Sequence, residues 1–104
     1  MSYIEELREV IKRLHGVEAT HIRSVPVKEV FKEGVVWDGI VEVFDLIGHP
    51  TARMVYAWAH DTDDPDKPRR HVTVLHIHPV TSAAAAVKAA IAQEFRNLGT
   101  AEEN

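Results

Sequence analysis

Seven histidines in a chain of 104 residues are the first feature that could do chemistry. Two of them, His76 and His78, stand one residue apart in HVTVLHIH. On a β-strand that spacing directs both imidazoles to the same side. Imidazole is the side chain whose ordinary titration falls near neutral pH, so such a pair beside a carboxylate and a guanidinium can hold a proton or an anion. Glu42 and Arg53 are the candidates for those two groups. If the strands that carry them are neighbours, Glu42 falls beside His76 and Arg53 beside His78. Glu42 would then favour protonated His76, and Arg53 would grip an anion through paired N–H donors. His60 and His71 lie at the other end of the sheet, next to a long loop. Zinc normally takes at least three protein ligands, and the spacing supplies no such set, so neither a metal nor another cofactor is expected. The plainer reading is that Glu42, Arg53, His76 and His78 are the polar rim of a contact surface, satisfied by one another and by water.

These side chains have to be positioned by a small number of elements. Ser2 and Glu5 form a capping-box pattern, and Ile4, Leu7, Val10, Ile11 and Leu14 recur at helical spacing. Early acids and late bases suit the helix dipole, and Gly16 is a stop signal, so the spacing predicts a helix over Tyr3–His15. Strands are predicted over Thr20–Lys32, Val35–Ile47, Arg53–His60 and His71–His78, separated by turn residues. Glu33-Gly34 joins the first two, and Gly48-His49-Pro50 the next two. Pro26 cannot donate to a ladder, which puts the first strand at a sheet edge or on a bulge. Asp61–Arg70, with its two prolines and near absence of apolar residues, reads as a solvated loop. Thr81 or Ser82 caps a second helix, AAAAVKAAIAQEFRNL, which Gly99 ends. The fold class is therefore α+β: a four-stranded antiparallel meander in the order α-β-β-β-β-α. Both helices are expected on one face of the sheet. Residues 1–99 form one domain, and residues 100–104 a disordered tail.

The turns set a pairing. Phe31 falls opposite Val36, Val27 opposite Ile40, Val43 opposite Met54, and Tyr56 opposite Leu75. One face then carries Val30, Trp37, Val41, Val43, Met54, Tyr56, Trp58, Leu75 and Ile77 and is assigned to the helices, with Leu7, Ile11, Leu14, Val87, Ile91 and Phe95 as their contributions. Gly39 within that face leaves room for a helix or an aromatic ring. The other face holds Ile40, Phe44, Val55, Ala57 and Val74, with Val25, Val27 and Phe31 extending it. It is too apolar to be left in water, so a homodimer through this open face is expected. The pairing is the sensitive step, because a one-residue slip sends every side chain to the opposite face.

Composition narrows the classes. The chain has no cysteine, hence no disulfide, thiolate site or thiol nucleophile. A net charge of −4 argues against a general nucleic-acid binder. No apolar run approaches the roughly 20 residues needed to cross a bilayer, and the charged first helix is no signal peptide; a cytoplasmic location is the expectation. Lys67-Pro68-Arg69-Arg70 is nearly cancelled by Asp61, Asp63, Asp64 and Asp66. Phosphate-cradling glycine loops, nucleophile elbows and metalloprotease helix motifs are absent from the sequence.

In outline the element order resembles the double-stranded-RNA-binding domain. That family relies on lysines at the start of its last helix; here the position reads Thr81-Ser82-Ala83-Ala84-Ala85-Ala86, with Lys88 beyond it, and there is an extra strand. Its function is not carried over. The segments VPVKEVF, VWDGIVEVFDLIGHP, YAW and VLHIHPV, with an Ala-rich helix after them, resemble short uncharacterised bacterial proteins, a likeness that implies no activity. The expectation is a non-enzymatic module that dimerises or binds a partner. The alternative is a small-molecule or anion-binding protein, or an enzyme, using Glu42, Arg53, His76 and His78.

Overall fold

The computed structural model describes residues 2–30, 34, 36–61, 65–66 and 69–103. The elements run α1 (Tyr3–His15), β1 (Glu18–Val30), β2 (Val36–Ile47), β3 (Met54–Asp61), β4 (Arg69–Leu75) and α2 (Ala83–Glu103). The four strands form one antiparallel sheet in the order β1-β2-β3-β4. This is the expected α-β-β-β-β-α meander.

Helix α1 has the expected bounds for the expected reasons. The Ser2 hydroxyl accepts the Glu5 N–H at 3.2 Å, and Gly16 ends the helix in the left-handed conformation at φ 73°. Helix α2 starts after Ser82, whose hydroxyl accepts the Ala85 N–H. It continues through Gly99 to Glu103, beyond the expected stop. Phe31, Glu33, Lys67 and Pro68, to which the sequence assigned places, lie outside the described residues, as does the side chain of Phe95.

The two helices lie on opposite faces of the sheet, not together on one. Leu7 and Ile11 of α1 pack with Ala19, Phe44, Leu46, Val55 and Ala57. Val87 of α2, with Ala83 and Ala86, packs with Val27, Val41, Val43, Tyr56 and Trp58. Neighbouring positions on β2 and β3 thus alternate between two separate cores. Leu14, expected against the sheet, is 57% exposed, and Val30 is 68% exposed.

Register explains the difference. Val27 faces Gly39 rather than Ile40, and Tyr56 faces Val74 rather than Leu75. Each is a one-residue slip, and each turns its strand over. Val25, Val27, Val72 and Val74 thereby join Val41, Val43, Tyr56 and Trp58, while Leu75 joins Phe44 and Val55. Both faces become apolar, and each needs its own helix. At the β2–β3 turn the slip is two residues, with Val43 facing Tyr56, so those faces are unchanged. The cause is His49, whose Nδ1 accepts the backbone N–H groups of Thr51 (3.1 Å) and Ala52 (3.0 Å). This extends the connection to Arg53, whose carbonyl takes the Leu46 N–H at 2.8 Å.

The face assigned to a second copy is therefore filled from within. Phe44, Val55 and Ala57 are 0% exposed in the core that α1 covers, Val74 belongs to the opposite core under α2, and Ile40 remains exposed. Among the described residues the five do not form one open patch.

Candidate functional site

Strand β1 carries a bulge between His21 and Arg23. In a regular strand, His21 and Ser24 would point to opposite faces. The extra residue, Ile22, resets the alternation, so both meet Glu42. The His21 Nε2–H donates to Glu42 Oε1 at 2.8 Å, and the Ser24 hydroxyl donates to the same oxygen. Glu42 is 6% exposed, the one charged side chain among the buried described residues. The His21 ring also stands edge-on to Phe44, with centroids 5.2 Å apart. Both donors converge on one carboxylate oxygen, so the Ser24 hydroxyl donates its hydrogen bond to Glu42 and is not oriented by an imidazole base. Pro26 had allowed a bulge in this strand, but nothing local in HIRS places one at Ile22, so the sequence did not bring His21 and Ser24 together on Glu42.

The expected quartet is dispersed. Glu42 points into the α1 face. His76 lies beyond the end of β4, and its Nδ1 is hydrogen-bonded to the Tyr56 hydroxyl at 2.6 Å, in the core under α2. Burial raises the pKa of Tyr56, and the Arg23 guanidinium opposes that rise. Arg53 and His78 are exposed. Glu42 and His76 are therefore separated by the sheet, and no proton passes between them.

The remaining histidines are mostly structural. His71 donates to Glu6 at 2.7 Å, and Arg69 meets the other oxygen of Glu6 at 3.2 Å, tying α1 to β4. His15 is hydrogen-bonded to Thr73 at 2.9 Å, and its ring centroid lies 6.2 Å from that of His49. Burial, then the neighbouring His49, lowers the pKa of His15. Among the described residues no group of three or more His, Asp or Glu side chains is placed to hold a metal ion.

A different site emerges where the sheet forks. The β2–β3 pairing runs from Asp45↔Met54 to Glu42↔Ala57 and stops. Beyond it β2 pairs with β1 alone and β3 with β4 alone. Continued alternation would send the Ala59 N–H to Ile40; it is given instead to the Tyr3 hydroxyl at 2.8 Å. Burial raises the pKa of Tyr3; the Ala59 hydrogen bond opposes this and the Glu42 carboxylate adds to it. Tyr3 also lies under the Arg69 guanidinium, 5.1 Å from the ring centroid. On the α2 side of the fork is a groove of about 320 Å³ lined by Trp37, Asp38, Trp58, His60, Val72, Ala90 and Ile91. The two indoles meet edge to face at 5.5 Å. Gly39 accommodates Trp37, since a Cβ there would stand 3.2 Å from the indole; the ring that Gly39 was expected to admit comes from its own strand. A second cavity of about 270 Å³, lined by Arg70, Val72, Thr73, Val74, Ala89, Ala90 and Gln93, shares Val72 and Ala90 with the first, so the two adjoin along α2.

No helix among the described residues is long and apolar enough to cross a membrane. The chain matches no protein-family model, no curated protein and no solved structure.

Proposed function

We propose that this chain is a non-enzymatic binding module that receives a side-chain-sized group in the groove between α2 and the forked sheet. The observation that carries this reading is that both tryptophans of the chain line one cavity at the point where the β2–β3 ladder ends. Binding sites are commonly concave, apolar and aromatic, with a few polar groups that orient the ligand; His60, two residues from Trp58 on β3 and so on the same side of the sheet, is such a group here. The Glu42 cluster supports the same reading by contrast. Its polar atoms are engaged with one another, and its serine lacks the imidazole partner that nucleophilic catalysis needs. A homodimer through the open face is not proposed, because Phe44, Val55 and Ala57 lie in the core under α1 and Val74 in the core under α2.

The experiment is a fragment screen against the full chain, followed by NMR and by tryptophan fluorescence. The expected response is concentrated at the indole N–H signals of Trp37 and Trp58 and at Val72 and Ala90. Responses centred on His21 and Ser24, or no response at either indole, would remove the groove as the binding surface.

A further inference from the structure

We infer that the outer edge of β4 receives an extended segment of a partner protein. The segment adds to the sheet as a fifth strand and carries an acidic residue two positions after an apolar one. The two edges of the sheet differ. β1 is interrupted by the bulge between His21 and Arg23 and by Pro26, and both features discourage further pairing. β4 has neither. Its register with β3 runs unbroken from Val55↔Leu75 to Asp61↔Arg69, and Arg69–Leu75 contains no proline.

The hydrogen-bond phase fixes which groups β4 turns outward. The His76 N–H is given to the Met54 carbonyl at 2.9 Å, so the main chain there points towards β3. Antiparallel ladders alternate. Arg70, Val72 and Val74 therefore point towards β3 as well, and His71, Thr73 and Leu75 point away from it. The Leu75 carbonyl takes the Ile77 N–H at 2.9 Å. The N–H and C=O groups of His71 and Thr73 have no main-chain partner among the described residues. Extended backbone is the ligand that pairs with such a row. The strand is braced on its α1 side, where the His71 ring is bonded to Glu6 and the Thr73 hydroxyl to His15.

Selection among partners falls to the α2 side. The cavity of about 270 Å³ lies there, between Val72 and Val74 of β4 and Ala89 and Ala90 of α2. Thr73 also lines it; its hydroxyl is turned to His15, so it contributes main chain, and the cavity reaches the open edge. In an added antiparallel strand, the residue opposite Val72 turns its side chain to this cavity, and the residue two further on stands opposite Arg70. Arg70 is the one charged residue in the lining. It has contacts of its own, and the five N–H donors of a guanidinium can serve a second acceptor. An apolar residue followed two positions later by Asp or Glu is the complementary pattern. A second copy of β4 lacks it, since RRHVTVL holds no acid. The inference is independent of the tryptophan groove.

The test is a titration of the full chain with a blocked pentapeptide, threonine–isoleucine–threonine–glutamate–threonine. Binding is followed at the His71 and Thr73 backbone N–H signals and by hydrogen exchange. Both amides are expected to shift and to gain protection. N-methylation of the central threonine, whose N–H points at β4, should weaken binding about tenfold. N-methylation of the isoleucine, whose N–H points away, should leave binding nearly unchanged. Glutamine in place of the glutamate should cost about three- to fivefold. Arg70→Gln, at an exposed position, should abolish that preference with the fold unchanged by circular dichroism. Ala89→Leu, which fills the cavity, should weaken the isoleucine peptide and spare one with alanine in its place. Equal binding of the two N-methylated peptides, or no response at either amide, overturns the added strand. A glutamate preference that survives Arg70→Gln overturns the acidic partner. Amides of His71 and Thr73 already protected in the free chain, with sedimentation reporting a dimer, would give the edge to a second copy and overturn the partner segment. Peptide shifts confined to the indoles would overturn the edge and leave the groove standing.

Discussion

The two faces of one sheet have opposite characters. Under α1, Leu7, Ile11, Phe44 and Val55 close completely, and the polar groups along the seam are paired: Glu42 with His21 and Ser24, Glu6 with Arg69 and His71. Under α2, Val41, Val43, Tyr56 and Val87 close as tightly, but further along the sheet the strands part and the aromatic groove opens. The difference teaches where function can be carried. A face whose polar groups satisfy one another contributes stability and specificity of packing. A face where a ladder ends early leaves backbone and aromatic surface available to a ligand.

The strongest test of that contrast is Val55→Lys. It would place an uncompensated charge in the α1 core, and a loss of more than about 3 kcal/mol is expected. A denaturant midpoint equal to that of the parent would mean that Val55 faces solvent and the sheet has an open face after all. Phe44→Ala in the same core is expected to cost about 3–5 kcal/mol, against about 1–2 kcal/mol for Trp37→Ala at the partly exposed groove. The reverse order in denaturant titrations would invert the comparison.

A middle-sized effect is expected at the seam. Glu42→Ala removes the shared acceptor of His21 and Ser24 and should cost about 1–3 kcal/mol, with little change at the indole N–H signals. If the indoles respond as strongly as His21, the two faces are coupled and the contrast is too simple.

The pH effect is smaller and has a definite sign. His15 has a lowered pKa in the fold, chiefly through burial and then through His49. The unfolded chain thus binds its proton more readily, and stability rises with pH between the folded value and about 6.5. Acidification through that window should destabilise the parent more than His15→Gln, and parallel stability curves for the two would rule out this contribution.

The smallest change is Gly39→Ala. Its Cβ would press on the Trp37 indole at 3.2 Å, so the ring shifts slightly and the fluorescence changes, at a stability cost below about 1 kcal/mol. An unaltered spectrum would show that the ring does not rest on Gly39.

Much of the framework was legible in the sequence. The capping residues and the 3.6-residue periodicity located α1 at its observed bounds, because a helix is specified by local hydrogen bonds and spacing. Pro26 marked β1 as a strand at a sheet edge or on a bulge for an equally local reason, its missing N–H; β1 is an edge strand, and its bulge lies between His21 and Arg23. The dispersal of Glu42, Arg53, His76 and His78 was not legible. It depends on how far β4 extends and on which side of the sheet each strand presents, and a single residue in a turn reverses that side. The pairing of His21 with Ser24 on Glu42 needed the bulge at Ile22, and the groove needed the β2–β3 ladder to stop at Glu42↔Ala57.

By itself, then, the sequence determined the kinds of element, their order and the antiparallel meander, all of which follow from propensities, caps and turn residues acting over a few positions. Only the tertiary structure decided that the helices take opposite faces, that Phe44, Val55 and Ala57, expected to meet a second copy, are covered by α1, and that Trp37 and Trp58 meet at a fork. Those outcomes depend on register, and register is set by side chains packing across strands from opposite parts of the chain, where no local pattern records which neighbour will be met.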